Sequence, residues 1–115
     1  MNSLLRELEL WGCDVDGAMN RFLNDQSLYE NCLRMLAEDS GFQELKQALL
    51  AGDVKAAFDS AHTLKGVIAN MGLTPMSQII VNMVETLRAG NICGLMPSYE
   101  KLALENEHLK QILKS

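Results

Sequence analysis

Residues 53–75 read DVKAAFDSAHTLKGVIANMGLTP, and this stretch decides the fold. Val54, Ala57, Ala61, Leu64, Ile68 and Met71 recur at intervals of three and four, which is the spacing of one apolar stripe along an α-helix. Asp53 is a helix N-cap residue type, and Gly52 before it suits the left-handed position that ends a preceding helix. Gly72 supplies the stop, so the pattern predicts a helix over about 53–71.

Working outward, the same period recurs on both sides. Asp14 or Asp16 is placed to cap a short helix ending near Asn24. Asn24 or Asp25 then caps a longer one carrying Leu28, Cys32, Met35 and Leu36 on its apolar stripe. Ser40-Gly41 is expected to kink that helix before Phe42, Leu45 and Leu49 resume the stripe. Thr74-Pro75 reads as an N-cap followed by a first-turn proline. Met76, Ile79, Ile80, Met83 and Leu87 follow, closed by Ala89-Gly90-Asn91. Pro97 opens a last helix seamed by Tyr99, Leu102, Leu109 and Leu113, with Asn106 expected at the seam's edge.

Strand-like alternation is absent and aromatics make up only 5% of the chain. Four long amphipathic helices with short connections predict an all-α, antiparallel up-down four-helix bundle, with short N-terminal helices capping one end. At 115 residues, the chain has length for one such domain, taken as 1–115, and not for two cores.

Composition narrows the function without naming it. Fifteen acidic against ten basic residues give a net charge of −5, which argues against nucleic-acid binding. No apolar run approaches the length of a membrane span. The start, MNSLLRE, lacks the basic-then-apolar order of a signal peptide, so a cytoplasmic location is expected. Cys13, Cys32 and Cys93 share no short spacing and read as reduced, buried thiols rather than a disulfide framework or zinc set.

One residue resists a purely structural reading. At about 100° per residue, His62 lies roughly 140° from the centre of the apolar stripe, on the solvent side of a rigid helix. Lys55, Asp59, Gly66 and Ala69 share that face. Gly66 is costly inside a helix, by about 1 kcal/mol relative to alanine. It falls one turn after His62, where a larger side chain would crowd any group carried on the imidazole. Lys65 is spaced to bring an ammonium near an anion held there. Imidazole is nucleophilic without a dedicated base. Phosphoryl transfer asks mainly for positioning and charge neutralisation, so this face suits a phosphoryl group.

The run AHTLKGVIANMG over residues 61–72 resembles the signature of histidine-containing phosphotransfer (HPt) domains, H-x-L-K-G followed by a glycine ten positions after the histidine. His62, Leu64, Lys65, Gly66, Asn70 and Gly72 match it, and AGD before the helix and LRAGN closing the next extend the likeness. The resemblance implies a four-helix bundle whose exposed histidine takes a phosphoryl group from a receiver-domain phosphoaspartate and passes it to another receiver. It implies a stoichiometric phosphocarrier without kinase activity, working with response-regulator receivers and a sensor or hybrid histidine kinase. Mg²⁺ would come from the receiver and the chain would need no cofactor of its own. On this likeness His62 is the phospho-accepting nucleophile, with Lys65 neutralising the phosphate and Gly66 leaving it room. Phe58, Asp59, Ala69 and Asn70 are expected to meet the docked receiver.

Two features depart from the family pattern. Val67 and Ile68 follow the glycine where small residues are usual. The basic residue many members place near the phosphate on the next helix has only the neutral Gln78 and Asn82 as counterparts, so these are expected to support the phosphate while Lys65 carries more of the neutralisation. Two other readings stay open: the phospho-accepting domain of a chemotaxis-type histidine kinase, and a helical interaction module that is never phosphorylated. A cysteine enzyme has no partner histidine nearby in sequence, and His62 and His108 are too far apart for a local metal pair. A monomer is expected, and Met1 favours a free-standing carrier over a domain of a larger kinase.

Overall fold

The computed structural model describes residues 3–114, and every regular element among them is helical. In chain order these are α1 (Ser3–Trp11), α2 (Val15–Arg21), α3 (Gln26–Ala37), α4 (Gly41–Ala51), α5 (Val54–Asn70), α6 (Thr74–Arg88) and α7 (Met96–Lys114). Helices α4, α5, α6 and α7 close a four-helix bundle in which α5 lies between α4 and α6, and α7 closes the ring against both. Helix α3 runs on from α4 to pack against α7 and α2, while α1 lies along α7. Trp11 fixes α1 there: its indole N–H donates to the Glu105 carboxylate at 2.9 Å, and its ring meets His108 with centroids 4.7 Å apart.

The helix starts follow local chemistry. Asp14, Asp25 and Asp53 each accept a hydrogen bond from the backbone N–H three residues on, satisfying a donor the helix cannot. Gly52 ends α4 in the left-handed region at φ 70°. Helix α6 begins differently from the expectation. Thr74 is its first residue, not its cap, and Leu73 before it makes no side-chain cap. Leu73 is fully buried, so apolar burial rather than a hydroxyl sets the entry of α6.

The expected kink at Ser40-Gly41 is a full break. Residues 38–40 leave the helical path, the Asp39 carboxylate accepts from the Gly41 N–H at 2.6 Å, and Ser40 donates to Glu44 at 3.1 Å. Helix α7 stabilises the break from the other side. Asn106 donates its amide to the Ala37 carbonyl at 3.1 Å, and the Tyr99 hydroxyl donates to the Phe42 carbonyl at 3.0 Å. Asn106 is therefore buried, 5% exposed, and not at the seam's edge. A polar residue belongs there because the end of α3 presents a carbonyl to it.

The break also changes the phase of α3. Its buried residues are Tyr29, Leu33, Leu36 and Ala37, whereas Leu28 is exposed and Met35 is 72% exposed. The stripe expected through Leu28 and Met35 assumed a straight continuation into α4. Packing on α7 and α2 turns a different edge inward. The cysteines are free as expected, but Cys93 is exposed and Cys13 and Cys32 are only half-buried. Of the remaining expected core, Ala57, Ala61, Leu64, Ile68, Met76, Ile80, Met83, Tyr99, Leu102, Leu109 and Leu113 are buried, while Val54 and Ile79 are half-buried at its edge.

Two glycines yield opposite predictions. Gly72 has φ 70°, and a Cβ there would stand 2.4 Å from the Asp14 carbonyl oxygen. Gly72→Ala should cost at least about 2 kcal/mol in urea denaturation, through left-handed strain plus a backbone clash. A Cβ at Gly66 meets nothing within 4 Å. Gly66→Ala should raise stability by up to about 1 kcal/mol by restoring helix propensity.

A third prediction concerns alkaline pH. Burial, reinforced by the Glu105 carboxylate, pushes the Cys13 thiol from 9.0 up to about 12. The native state thus holds this proton longer than the unfolded chain does. The stability it contributes is complete below about pH 9 and is lost as pH rises toward 12. The urea midpoint of the natural chain should fall more steeply from pH 8 to pH 10.5 than that of Cys13→Ala.

Candidate functional site

Helix α5 is covered by α4 on one flank and α6 on the other, which leaves one long edge in solvent. His62 stands in the middle of that edge and is exposed, as its angle from the apolar stripe predicts. Small Ala57 and Ala61 beneath it are fully buried, so the helix sits close on its neighbours. The imidazole is therefore carried by well-packed backbone rather than by a loop.

The two sides of His62 along the helix axis are unlike. One turn toward the N-terminus, the Phe58 ring stacks with the imidazole, centroids 5.5 Å apart and planes 19° from parallel. One turn toward the C-terminus, Gly66 leaves open space. Lys65 is half-buried, and among the described residues its ammonium makes no ion pair or hydrogen bond. It is a cation at helical spacing from His62 with no competing carboxylate.

The flanks differ in charge as well. On the α4 side, Asp39, Glu44 and Asp59 border a shallow pocket with Ser60, Thr63 and Val67. Asp59 pairs with Lys55 at 3.4 Å, and both are largely in solvent. On the α6 side, Arg88 holds its guanidinium 5.2 Å from the centre of the Phe58 ring and pairs with Glu85 at 3.4 Å.

Four of the expected residues gather in a second place, toward the end of α5. Ala69, Gln78 and Asn82 line a groove of about 510 Å³, together with Arg21, Ser77 and Val81. Asn70 lies at its end, its carbonyl accepting from Arg21 Nε at 2.8 Å. Among the described residues no hydrogen bond joins His62 to Gln78 or Asn82. The expected site residues thus fall into a first cluster of Phe58, His62, Lys65 and Gly66, with Asp59 beside it, and a groove one to two turns further along.

Sequence reasoning missed two basic residues. Arg88 was visible only as part of the run that closes α6, yet antiparallel register gives it away. Positions 58 and 88 lie about equally far from the turn at Gly72, so they meet across the α5–α6 interface. Arg21 had no local signal, because it acts on carbonyls nearly fifty positions later. No group of three or more His, Cys, Asp or Glu among the described residues is placed to hold a metal ion. No described helix is long and apolar enough to cross a membrane.

Comparison with known proteins places this geometry. None of the curated proteins matches the chain. A crystal structure of the HPT domain from the Hpt sensor hybrid histidine kinase of Shewanella superposes with a TM-score of 0.76 over 91% of this chain and 92% of that one. The two sequences are 18% identical, so this likeness speaks for the fold. A family model described as the Hpt domain matches residues 27–113. That span holds the broken α3–α4 pair, the whole of α5 and α6, and nearly all of α7, and the chain belongs to the Hpt domain family, the phosphotransfer domains of two-component signalling.

Proposed function

We propose that this chain is a phosphorelay intermediate in which His62 accepts a phosphoryl group from the phosphoaspartate of one receiver domain and passes it to another. The observation that carries this reading is the asymmetric setting of His62: an exposed imidazole, open space at Gly66 and an unpaired Lys65.

In the forward step a ring nitrogen of His62 attacks phosphorus in line with the bond to the aspartyl oxygen. The P–N bond forms as the P–O bond breaks, and the aspartate leaves as a carboxylate. The proton on the other ring nitrogen stays with the imidazolium product. Transfer to the second receiver is the reverse step. Lys65 neutralises the phosphoryl oxygens, and Gly66 gives them clearance. Electrostatics of this kind supply most of what phosphoryl transfer asks of a protein. The receiver brings Mg²⁺, and the chain acts stoichiometrically, without kinase activity or a cofactor of its own.

The receiver docks along the exposed edge of α5, over Asp59, Ala69 and Asn70, with Gln78 and Asn82 at the far end of the footprint. The chain works as one cytoplasmic, monomeric domain, and a sensor or hybrid histidine kinase feeds the relay.

Radiolabelled phosphoryl groups offered on a phosphorylated receiver test this directly. His62→Gln should accept none, and label on that variant would refute the assignment. Lys65→Ala should slow acceptance by about ten- to a hundredfold, as expected for loss of one charge-assisted contact to the transferred group. Gly66→Leu should match or exceed the natural urea midpoint while transferring more slowly, and an unchanged rate would refute the clearance argument.

A further inference from the structure

We propose that Phe58 and Arg88 form a brace that holds the His62 imidazole in its reactive orientation, so that both are positioning residues rather than parts of the docking surface. The proposal rests on His62 being the phosphoryl acceptor. It goes beyond that reading by asking what fixes an exposed side chain that must meet phosphorus in line.

A helical side chain leans toward the N-terminal end of its helix and lies over the residue one turn earlier. For His62 that residue is Phe58, and the near-parallel rings at 5.5 Å fall within the range of offset aromatic stacking. The stack gives the imidazole a wall on one side while Gly66 leaves the other open. Without such a wall an exposed imidazole samples several rotamers, and only some aim a nitrogen lone pair at an incoming group.

Phe58 is itself held. It is half-buried and packs against the core, and the Arg88 guanidinium lies over its ring at 5.2 Å, within cation–π range. Glu85, one turn earlier on α6, fixes Arg88 by the 3.4 Å ion pair. The chain Glu85–Arg88–Phe58–His62 therefore ties the reactive ring on α5 to the last turn of α6. Phe58, expected from the resemblance to meet the receiver, is in this proposal engaged by two side chains of its own protein.

Single-turnover phosphotransfer at varied, excess concentrations of phosphorylated receiver separates the two roles. Loss of a docking residue raises the half-saturating receiver concentration, whereas loss of a brace lowers the rate at saturation. Phe58→Leu should reduce the saturated rate by about tenfold, and Arg88→Met by a few-fold, with half-saturation unchanged. Phe58→Tyr should restore the rate, and Arg88→Lys should recover most of it. In histidine-labelled full-length protein, the His62 ring-proton signals should lose their ring-current shift in Phe58→Leu and move part way in Arg88→Met. The urea midpoints of these variants separate a positioning effect from unfolding. A saturated rate unchanged in Phe58→Leu, a loss appearing only in half-saturation, or unmoved His62 signals would each overturn the brace. If the natural chain accepts no phosphoryl group, the phosphocarrier reading falls and the brace with it. Normal labelling with an indifferent Phe58→Leu overturns the brace alone.

Discussion

The last carbonyls of a helix have no partner within it, and α5 ends against the N-terminal part of the chain. Four consecutive carbonyls there are taken by donors from the N-terminal part of the chain. Arg21 donates to Ala69 at 3.2 Å and to Asn70 at 2.8 Å, the Tyr29 hydroxyl to Met71 at 2.8 Å, and the Asp14 N–H to Gly72 at 2.8 Å. The position of every group on α5 depends on this end being held. The backbone of Asp14 approaches only because residue 72 has no Cβ and accepts φ 70°. The Arg21 cation also lies at the negative end of the helix dipole, where it is favourable. Helices α1 and α2, outside the span matched to the family, thereby serve the helix that carries the exposed histidine.

With its end fixed, α5 needs only close neighbours on two sides to become rigid. Alanine at 57 and 61 lets α4 and α6 approach, and Leu64 and Ile68 complete the buried face of the helix. The exposed edge then carries residues whose side chains the fold does not require. His62 and Gly66 contribute nothing to the core, and Gly66 is a residue that stability alone would replace by alanine. A histidine and a glycine kept one turn apart on a stable helix mark where chemistry rather than folding sets the sequence.

How much of this was legible beforehand follows the range of each interaction. The aspartate caps, the stop at Gly52 and the solvent position of His62 depend on residues within one or two turns, and the sequence pattern carries them. Asn106 looked like a flaw in an apolar seam because its partner, the Ala37 carbonyl, is exposed to it only where α3 breaks. The wrong phase on α3 has the same origin, since a straight helix would have continued the stripe through Met35. Thr74 carried a good cap residue type, but the burial of Leu73 outweighs a side-chain cap worth about 1 kcal/mol. Arg88 entered only as part of the run that closes α6. Its role depends on tertiary register, which becomes calculable once α5 and α6 are known to be antiparallel about Gly72.

The negative charge of the chain, −5 in all, takes on meaning at the site. A phosphoryl group on His62 adds close to two further negative charges. On a uniformly acidic surface that would oppose transfer, but the surroundings of His62 are not uniform. Asp39, Glu44 and Asp59 lie on the α4 side, while Lys65 faces the α6 side at roughly 60° from His62 around the helix, with Arg88 beyond it. At an effective dielectric near 20, a charge at 4 Å is worth about 4 kcal/mol and one at twice that distance about half as much, so the charges within one turn of His62, Lys65 on one side and Asp59 on the other, weigh most. A phosphoryl group is therefore drawn toward α6 and away from the carboxylates across the helix. The groove lined by Gln78 and Asn82 lies on the same side as Lys65 and Arg88, and in-line transfer requires an incoming carboxylate to meet phosphorus on the face opposite the P–N bond.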